Sequence, residues 1–496
     1  MPSRSVVIGV DSSTQSTKAV VIDAVRGETL AVGRAPHLVG GDGGARESDP
    51  EVWWRALCEA VGAGMKESGV PATAVTGIAV AGQQHGLVVL DRSGRPLRPA
   101  LLWNDTRSAP QATALTAALG GPGAWAARTG SAPVAALTAS KWQWLRERDP
   151  ANAAAAAAVR LPHDFLTERL AGTAVTDPGD ASGTGWYSTA TGAYDPEILA
   201  LLGLDAALLP EVAPTGAARA GSLTPAAAGA LGLPAGIAVA AGTGDNMSAA
   251  VGLGLGGAGL LDHPVLSLGT SGTVFAATRT RPVTPSLSGF AGADGTYLPL
   301  ACTLNCTLAV DKVAALLNLD REDAAPGGGT VMLPYLDGER TPNLPAAAGL
   351  LTGLRHDTTP RQLLGAAYEG AAVTVLRALD ELLRACGLDP AAPEVAARPL
   401  RLIGGGARGR TWVETVRRLS GRPLVVPGSV ELVALGAAAL AASAAGGGDP
   451  VALSASWNER APSSMDRQLN AVPRDMETWQ RVTSVLERAA EPLLGG

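Results

Sequence analysis

An α/β protein of two domains is expected from this chain on three grounds. Its 496 residues are more than one ordinary core can use. Short apolar runs of strand character recur throughout it, with helical spacing between them. A strand, a small polar turn and a second strand occur twice, at 6–24 (VVIGVDSSTQSTKAVVIDA) and at 265–278 (VLSLGTSGTVFAAT). One such hairpin early in each half suggests a duplicated architecture in which both domains offer a turn to the same cleft.

Composition narrows the class. Hydrophobic residues make up 46% of the chain, ample for globular packing, and the formal net charge of -6 argues against a nucleic-acid surface. Gly, Ala and Pro are abundant and Lys is rare, a bias of composition rather than a sign of disorder, because apolar strands persist throughout. Cys58, Cys302, Cys306 and Cys386 are too few and too scattered for a disulfide framework, and no signal peptide or long apolar span is present. A reduced, cytoplasmic protein is the expectation. Cys302 and Cys306 are spaced to share a helix face, but no matching Cys or His pair completes a zinc site, so both are assigned to packing.

The first hairpin turns through hydroxyls and an amide, Ser12 to Ser16, whose side chains and N–H groups suit phosphate oxygens, and Lys18 adds a cation nearby. Asp11, ending the first strand, is placed to hold a hydrated magnesium ion in front of those phosphates. An ordinary edge hairpin would read the same way. ESDPEVWWRALCEAVGA (47–63) opens with a capping pattern, which predicts a helix after Asp49. VTGIAVAGQQHGLVVLD (75–91) reads as two strands around GQQHG, so Gln84 and His85 fall on the turn and offer hydrogen bonds to hydroxyls. A structural histidine is the alternative there. LLWNDTR (101–107) gathers Trp103, Asn104, Asp105 and Arg107, an aromatic face for C–H groups beside amide and carboxylate partners for hydroxyls, or else a solvated turn.

The next stretch offers less chemistry. SKWQWLRER (140–148) reads as a packing helix with Trp142 off the face of Lys141, and the alanine run 153–158 falls inside a helix. LPHDFLTERLAG (161–172) is helical after Pro162, and VTDPGDASGTGWY (175–187) is a polar, glycine-rich loop.

GTGDNMSAA (242–250) is the centre of the chain. An apolar run, Ile237 to Ala241, delivers Asp245 on a tight turn between a strand and a helix. Gly242 and Gly244 let the backbone turn and leave open space beside the acid, as a substrate hydroxyl approaching a base requires. A mere helix cap at Asp245 or Asn246 is the competing reading. Further on, RLIGGGARGRTW (401–412) ends a strand in three glycines and begins a helix near Arg410, so its backbone can approach a flat or anionic ligand. VELVALGAAALAA (430–442) is a helix whose small residues would let it lie beside such a ligand, and 446–496 reads as a loop and a terminal helix.

IGVDSSTQSTK, AGQQHG, LLWNDTR, GTGDN, LSLGTSGT, YLDGERTP (335–342), GLLTGLRHDTTPRQLLGAAYEG (349–370) and IGGGAR occur here in the order seen in the FGGY carbohydrate kinases. The resemblance runs from Val6 to about Ala442 and is greatest to the xylulokinases of that family. It implies an actin-like fold, of the sugar kinase, heat-shock ATPase and actin class: two domains with ribonuclease-H-like cores closing on a central cleft. Residues 1–246 would carry the sugar site and the first phosphate turn, 247–445 the second phosphate turn and the adenosine site, with 446–496 following. The implied activity is ATP-dependent phosphorylation of D-xylulose to D-xylulose 5-phosphate with Mg2+; ribulose or glycerol is the alternative acceptor.

By resemblance, Asp245 is the catalytic base and Asp11 the magnesium-associated acid, both facing the metal. Ser13, Thr14, Gln15, Ser16 and Lys18 match the first phosphate turn, Gly269, Thr270 and Ser271 the second, and Gly405, Gly406, Ala407 and Arg410 the adenosine site. Gln84 and His85 match the sugar-contacting pair, with Trp103, Asn104 and Asp105 as the adjoining wall and Asn246 beside them. Ser13 departs from the commoner Gly, and Gln84 from the commoner Met before the histidine; these bear on phosphate geometry and on the sugar, not on the class. The expected partners are the sugar and ATP, with no nucleic acid or membrane and a homodimer left open. An actin-like ATPase without a sugar would keep the turns but has no need of Asp245 beside GQQHG and WNDTR. A sugar-binding regulator would carry a DNA-binding helix-turn-helix, and this chain starts straight into Val6.

Overall fold

Two mixed sheets built to one plan organise the chain. The computed structural model describes residues 5–489 apart from 258, 343, 345, 429–430 and 461–465. The first sheet contains β1 (Val6–Ser12), β2 (Ser16–Asp23), β3 (Thr29–Pro36), β4 (Val75–Gly82), β5 (Arg219–Ser222) and β6 (Ala238–Ala240) in the order β5-β6-β4-β1-β2-β3, with β7 (Thr243–Gly244) pairing the end of β4. The second contains β8 (Val265–Leu268), β9 (Gly272–Phe275), β10 (Ser288–Ala291), β11 (Tyr297–Thr303), β12 (Leu400–Ile403), β13 (Leu424–Val426) and β14 (Arg467–Leu469), in the order β14-β13-β12-β8-β9-β11-β10. In each, a central antiparallel hairpin continues on one side into antiparallel strands, β3 in the first sheet and β11 then β10 in the second, and on the other into two parallel strands and a final antiparallel one. The duplication suggested by the two hairpins is therefore a duplication of whole sheets.

Helix α1 (Pro50–Ser68) packs on β2 and β3, α2 (Pro162–Ala171) on β4, and α3 (Pro178–Ala181) on β7, before α4 (Asp245–Gly252) leaves the first sheet. Asp49 caps α1 as its sequence predicts, accepting the Glu51 N–H at 3.0 Å. In the second half α5 (Thr307–Leu317) packs on α6 (Pro360–Ala385), which covers β9 and β11, and α7 (Arg410–Ser420) lies against α6. Helix α8 (Leu432–Gly446) then returns to pack on β1 and β4 of the first sheet and on α4.

Strand β1 is apolar on both faces because both are covered. Val6, Ile8 and Val10 point into a core with α1 residues such as Trp53 and Leu57, whereas Val7 points into a second core with Ala434, Ala437 and Ala438 of α8. Gly9 shares the α8 face, and a Cβ there would fall 2.0 Å from the Ala434 carbonyl oxygen. A Cβ on Gly436 would fall 1.8 Å from the Ser248 carbonyl oxygen of α4. The small residues of α8 thus serve backbone-to-backbone packing between the halves, not a ligand as expected from their pattern.

Other local expectations also change. The alanine run 153–158 leaves its helix at Ala155 and ends in a strand, Ala158–Arg160, drawn into pairing with Val88–Leu90. Cys302 lies on β11 and Cys306 precedes α5, so they share no helix face. The region 175–187 is not simply a loop: it contains α3 and is buried almost throughout. Beyond Gly446, α9 (Pro450–Arg460), β14 and α10 (Met476–Ala489) give more than one terminal helix, and β14 supplies the last strand of the second sheet. Among the described residues no helix is long and apolar enough to cross a membrane.

Candidate active site

Strands β1, β4 and β6 run parallel, so Asp11, the GQQHG turn and the Gly242–Asp245 turn all emerge at the same edge of the first sheet. Ligands of α/β sheets favour that edge because loops rather than strands meet there. The Gln83 N–H donates to the Ser12 carbonyl at 3.0 Å, and Gly244 pairs with Gly82 through β7, closing the three turns on one another.

Asp245 opens α4, with Gly244 at the cap position. Its Oδ1 accepts the Asn246 backbone N–H at 2.8 Å and the Asn246 Nδ2–H at 3.1 Å, while Oδ2 takes no hydrogen bond among the described residues. Asn246 Nδ2 also donates to Gln84 Oε1 at 2.8 Å. A continuous chain Gln84–Asn246–Asp245 results, and the Gln84 Nε2 is buried without a partner. Burial, then the charges of Asp11 and Asp180, push the Asp245 carboxyl up to about 7. The local cap contact and the base reading coexist: one oxygen is held, and the other is left for a proton.

His85 adopts a positive φ of 65° at the turn, and its Nδ1 lies 2.9 Å from the Gly183 carbonyl. A carbonyl only accepts, so Nδ1 carries the hydrogen and Nε2 presents a lone pair. Burial, then the charges of Lys141 and Arg340, hold the ring down at about 3, and it is neutral at working pH. Phe290 of β10 packs against it at 5.5 Å between centroids, so the second half of the chain contributes to this wall. The sequence pattern does not single out Gln83, yet both of its amide atoms are buried and unpaired.

The LLWNDTR residues divide. Trp103 is 40% exposed and donates from Nε1 to Thr14 Oγ1 at 3.0 Å, and the Asn104 Oδ1 is buried without a partner. Asp105 departs from its expected sugar-facing role. It is 2% exposed, with both oxygens taken by Arg107 and by the Arg46 backbone N–H, so it braces the turn from inside. Despite burial, those bonds hold its carboxyl below the usual range.

On the first hairpin turn the Ser13 hydroxyl donates to Asp11 Oδ1 at 2.5 Å, and the Ser13 N–H bonds the Ser16 carbonyl at 3.0 Å, leaving Thr14 and Gln15 at the tip. Lys18 does not stand free beside the turn: its Nζ lies 2.8 Å from Glu431 Oε2 and 3.8 Å from Asp11 Oδ2. Glu431, which also binds Arg34, immediately precedes α8 and so ties the second half of the chain to β2. Its role was not visible in sequence, where only a small-residue helix stood out.

The second sheet repeats the arrangement. Gly269, Thr270 and Ser271 turn between β8 and β9, and Thr307 of α5 fixes the Gly269 carbonyl through its N–H at 3.1 Å and its hydroxyl at 2.8 Å. Gly404–Gly406 leave the end of β12, parallel to β8 and beside this turn. Gly405 and Arg410 are exposed, whereas Gly406 and Ala407 are buried against Leu268 and the core. Only Gly405 offers open backbone, since a Cβ there would meet nothing within 4 Å.

Two hydroxyl-rich turns at equivalent ends of twin sheets, with a half-paired carboxylate at one of them, match a family model over both halves. The model for the N-terminal domain of the FGGY family of carbohydrate kinases matches residues 6–252, and that for its C-terminal domain matches 265–445. This chain is a member of the FGGY family of carbohydrate kinases. Among curated FGGY relatives, xylulose kinase of Streptomyces coelicolor is 56% identical over 98% of this chain and 97% of its own, and xylulose kinase of Streptomyces rubiginosus is 55% identical over the same shares. The crystal structure of xylulose kinase from Bifidobacterium adolescentis is 33% identical and superposes with a TM-score of 0.80, covering 97% of this chain and 99% of the other. The fold is thus the two-domain sugar kinase fold, with its actin-like pair of sheets.

Proposed function

We propose that this FGGY kinase transfers the γ-phosphoryl group of ATP to the terminal O5 hydroxyl of D-xylulose. The observation that carries the reading is the Gln84–Asn246–Asp245 chain, which leaves a buried amide donor at one end and a carboxylate oxygen at the other without partners among the described residues, in a protein closely similar to xylulose kinases. Gln84, His85 and Asn246 hold the sugar hydroxyls, with Trp103 and Asn104 as the adjoining wall. Asp245 Oδ2 takes the O5 proton as the bond to phosphorus forms. The turn Ser13–Ser16 and the turn Gly269–Ser271 receive phosphate oxygens, and the open backbone at Gly405 receives the adenosine. Water is the competing nucleophile, so the two halves close over sugar and ATP.

Asp11 and Asp245 suit a hydrated Mg2+. Their carboxyls are buried, each is raised mainly by that burial, and the charge of Asp11 reaches Asp245, so a cation held by them would relieve both. Among the described residues no three or more His, Cys, Asp or Glu side chains are arranged to hold a metal ion, and Mg2+ is commonly held by one or two carboxylates with substrate phosphates. When bound, Mg2+ spreads the charge of the transferring phosphoryl group. Asp11→Ala should flatten the dependence of rate on magnesium concentration; a titration identical to the parent's would place the ion elsewhere.

A coupled ADP-release assay at saturating MgATP with D-xylulose, D-ribulose, L-ribulose and glycerol tests the acceptor. D-xylulose should have the highest kcat/KM, and a ribulose or glycerol ahead by about tenfold or more would keep the kinase and discard the sugar. His85→Ala should raise KM for the sugar far more than KM for ATP, at a cost of about 1–3 kcal/mol, because hydroxyls once bonded to the ring are left desolvated. kcat/KM should rise with pH as Asp245 loses its proton, along an ionisation at or below about 7.

A further inference from the structure

The segment 177–183, part of the stretch expected to be a polar, glycine-rich loop, contacts both turns proposed to handle the sugar. Asp177, fully buried, accepts the Thr243 hydroxyl at 2.7 Å, two residues ahead of Asp245, and caps α3 through the Gly179 and Asp180 N–H groups at 3.0 Å each. At the other end Gly183 fixes the His85 tautomer. Between them His163 of α2, with no exposed surface, places Nδ1 2.7 Å from Asp180 Oδ2.

His163 sits where the ends of β4 and β6 pass. A Cβ on Gly82 would lie 2.9 Å from the His163 Cβ, and one on Gly242 would lie 3.2 Å from its Cδ2. Gly82 leads directly into Gln83–His85, and Gly242 into Asp245. The His163 backbone and Cβ thus lie against the strand end that presents the sugar-binding turn, and the edge of its ring lies against the turn that presents the base.

This is more than a packed histidine. Its Nε2 stands 3.3 Å from Asp164 Oδ1 and 4.0 Å from Asp177 Oδ1, so three carboxylates surround one ring. Burial opposes its charge, but Asp164, Asp180 and Asp177 outweigh burial and lift it to about 9. The imidazolium is the counter-ion to these carboxylates, of which Asp177 braces the Thr243 turn.

We propose that His163 and Asp180 are positioning residues for phosphoryl transfer, their ion pair setting the spacing between the Gln84–His85 turn and the Gly242–Asp245 turn. Neither forms a hydrogen bond to a proposed catalytic or sugar-binding residue, so the effect passes through the ring's close contact at Gly242, with the His163 Cβ and backbone holding Gly82 on the other side. Misplacement of this kind costs turnover rather than binding, because the hydroxyl and the base each keep their partners but lose their mutual alignment. The inference rests on the sugar-kinase reading, which the parent protein's own turnover of D-xylulose tests separately.

The test is a double-mutant cycle with His163→Ala, His163→Asn and Asp180→Asn, reading kcat per folded protein and both KM values. His163→Ala and Asp180→Asn should each lower kcat roughly 10- to 100-fold while KM for D-xylulose and for MgATP stay within about threefold. The double variant should be no worse than the poorer single, since one pair has been broken twice. His163→Asn, which keeps a donor near the Nδ1 position, should recover part of the kcat lost in His163→Ala. Where His163→Ala does not fold, His163→Asn with Asp180→Asn carries the cycle. Parental kcat in the single variants, multiplied losses in the double, or a rise in KM in place of a fall in kcat would each overturn the proposal.

Discussion

Asp245→Asn is expected to fold, to bind MgATP, and to lose transfer to D-xylulose by roughly 10²- to 10⁴-fold. The amide preserves the shape of the turn and can still accept the Asn246 N–H through its oxygen, but it cannot take the hydroxyl proton. The same substitution should raise Tm at pH 8. The folded protein holds this carboxyl at about 7, above its ordinary value of 3.8, so the group favours folding fully only below that ordinary value and loses its contribution as pH rises through about 7. An uncharged amide escapes the penalty of burying the ion. Rapid sugar turnover by Asp245→Asn would remove the base from this residue, and a lower Tm at pH 8 would show that the carboxylate is stabilised in place by something other than its neighbours here.

Gly9→Val should destabilise the whole molecule, by at least about 1–3 kcal/mol, and lower activity with it. The clash is with backbone, not with a flexible side chain: the Cβ would fall 2.0 Å from the Ala434 carbonyl oxygen and 2.4 Å from the Ala438 nitrogen. Helix α8 can retreat only by opening the core in which Val7, Ala437 and Leu440 pack, and its entry is tied through Glu431 to Lys18 and Arg34. Since β1 carries Asp11, the displacement would travel to the site as well. Urea denaturation of parent and variant measures the cost; an unchanged midpoint would mean that α8 seats more loosely than its contacts require.

Signals that depend on neighbouring residues are legible in the chain itself. The cap at Asp49, the two hairpins, the turn carrying Gln84 and His85 and the turn carrying Asp245 all fall where local spacing and glycine placement put them. Sequence expectations fail where a distant partner overrides local preference. The alanine run has high helix propensity, yet Ala158 is drawn into a strand by pairing with Leu90. Asp105 looks available because the sequence does not reveal that Arg107 and the Arg46 backbone occupy both oxygens.

The sequence by itself determined the class of this protein and the place of the carboxylate proposed as its base, because a glycine-flanked acid after an apolar strand and two polar hairpin turns are local patterns that survive in one dimension. Tertiary structure alone decided which groups surround them. Parallel pairing of β1, β4 and β6 brings Asp11, Gln84 and Asp245 to one edge although more than 230 residues separate the first from the last. It also buries His163 among Asp164, Asp177 and Asp180, and sets Glu431 against Lys18 across 413 positions of chain. No local pattern marks such residues, since what burial and charge do to a side chain is set by whatever folds against it.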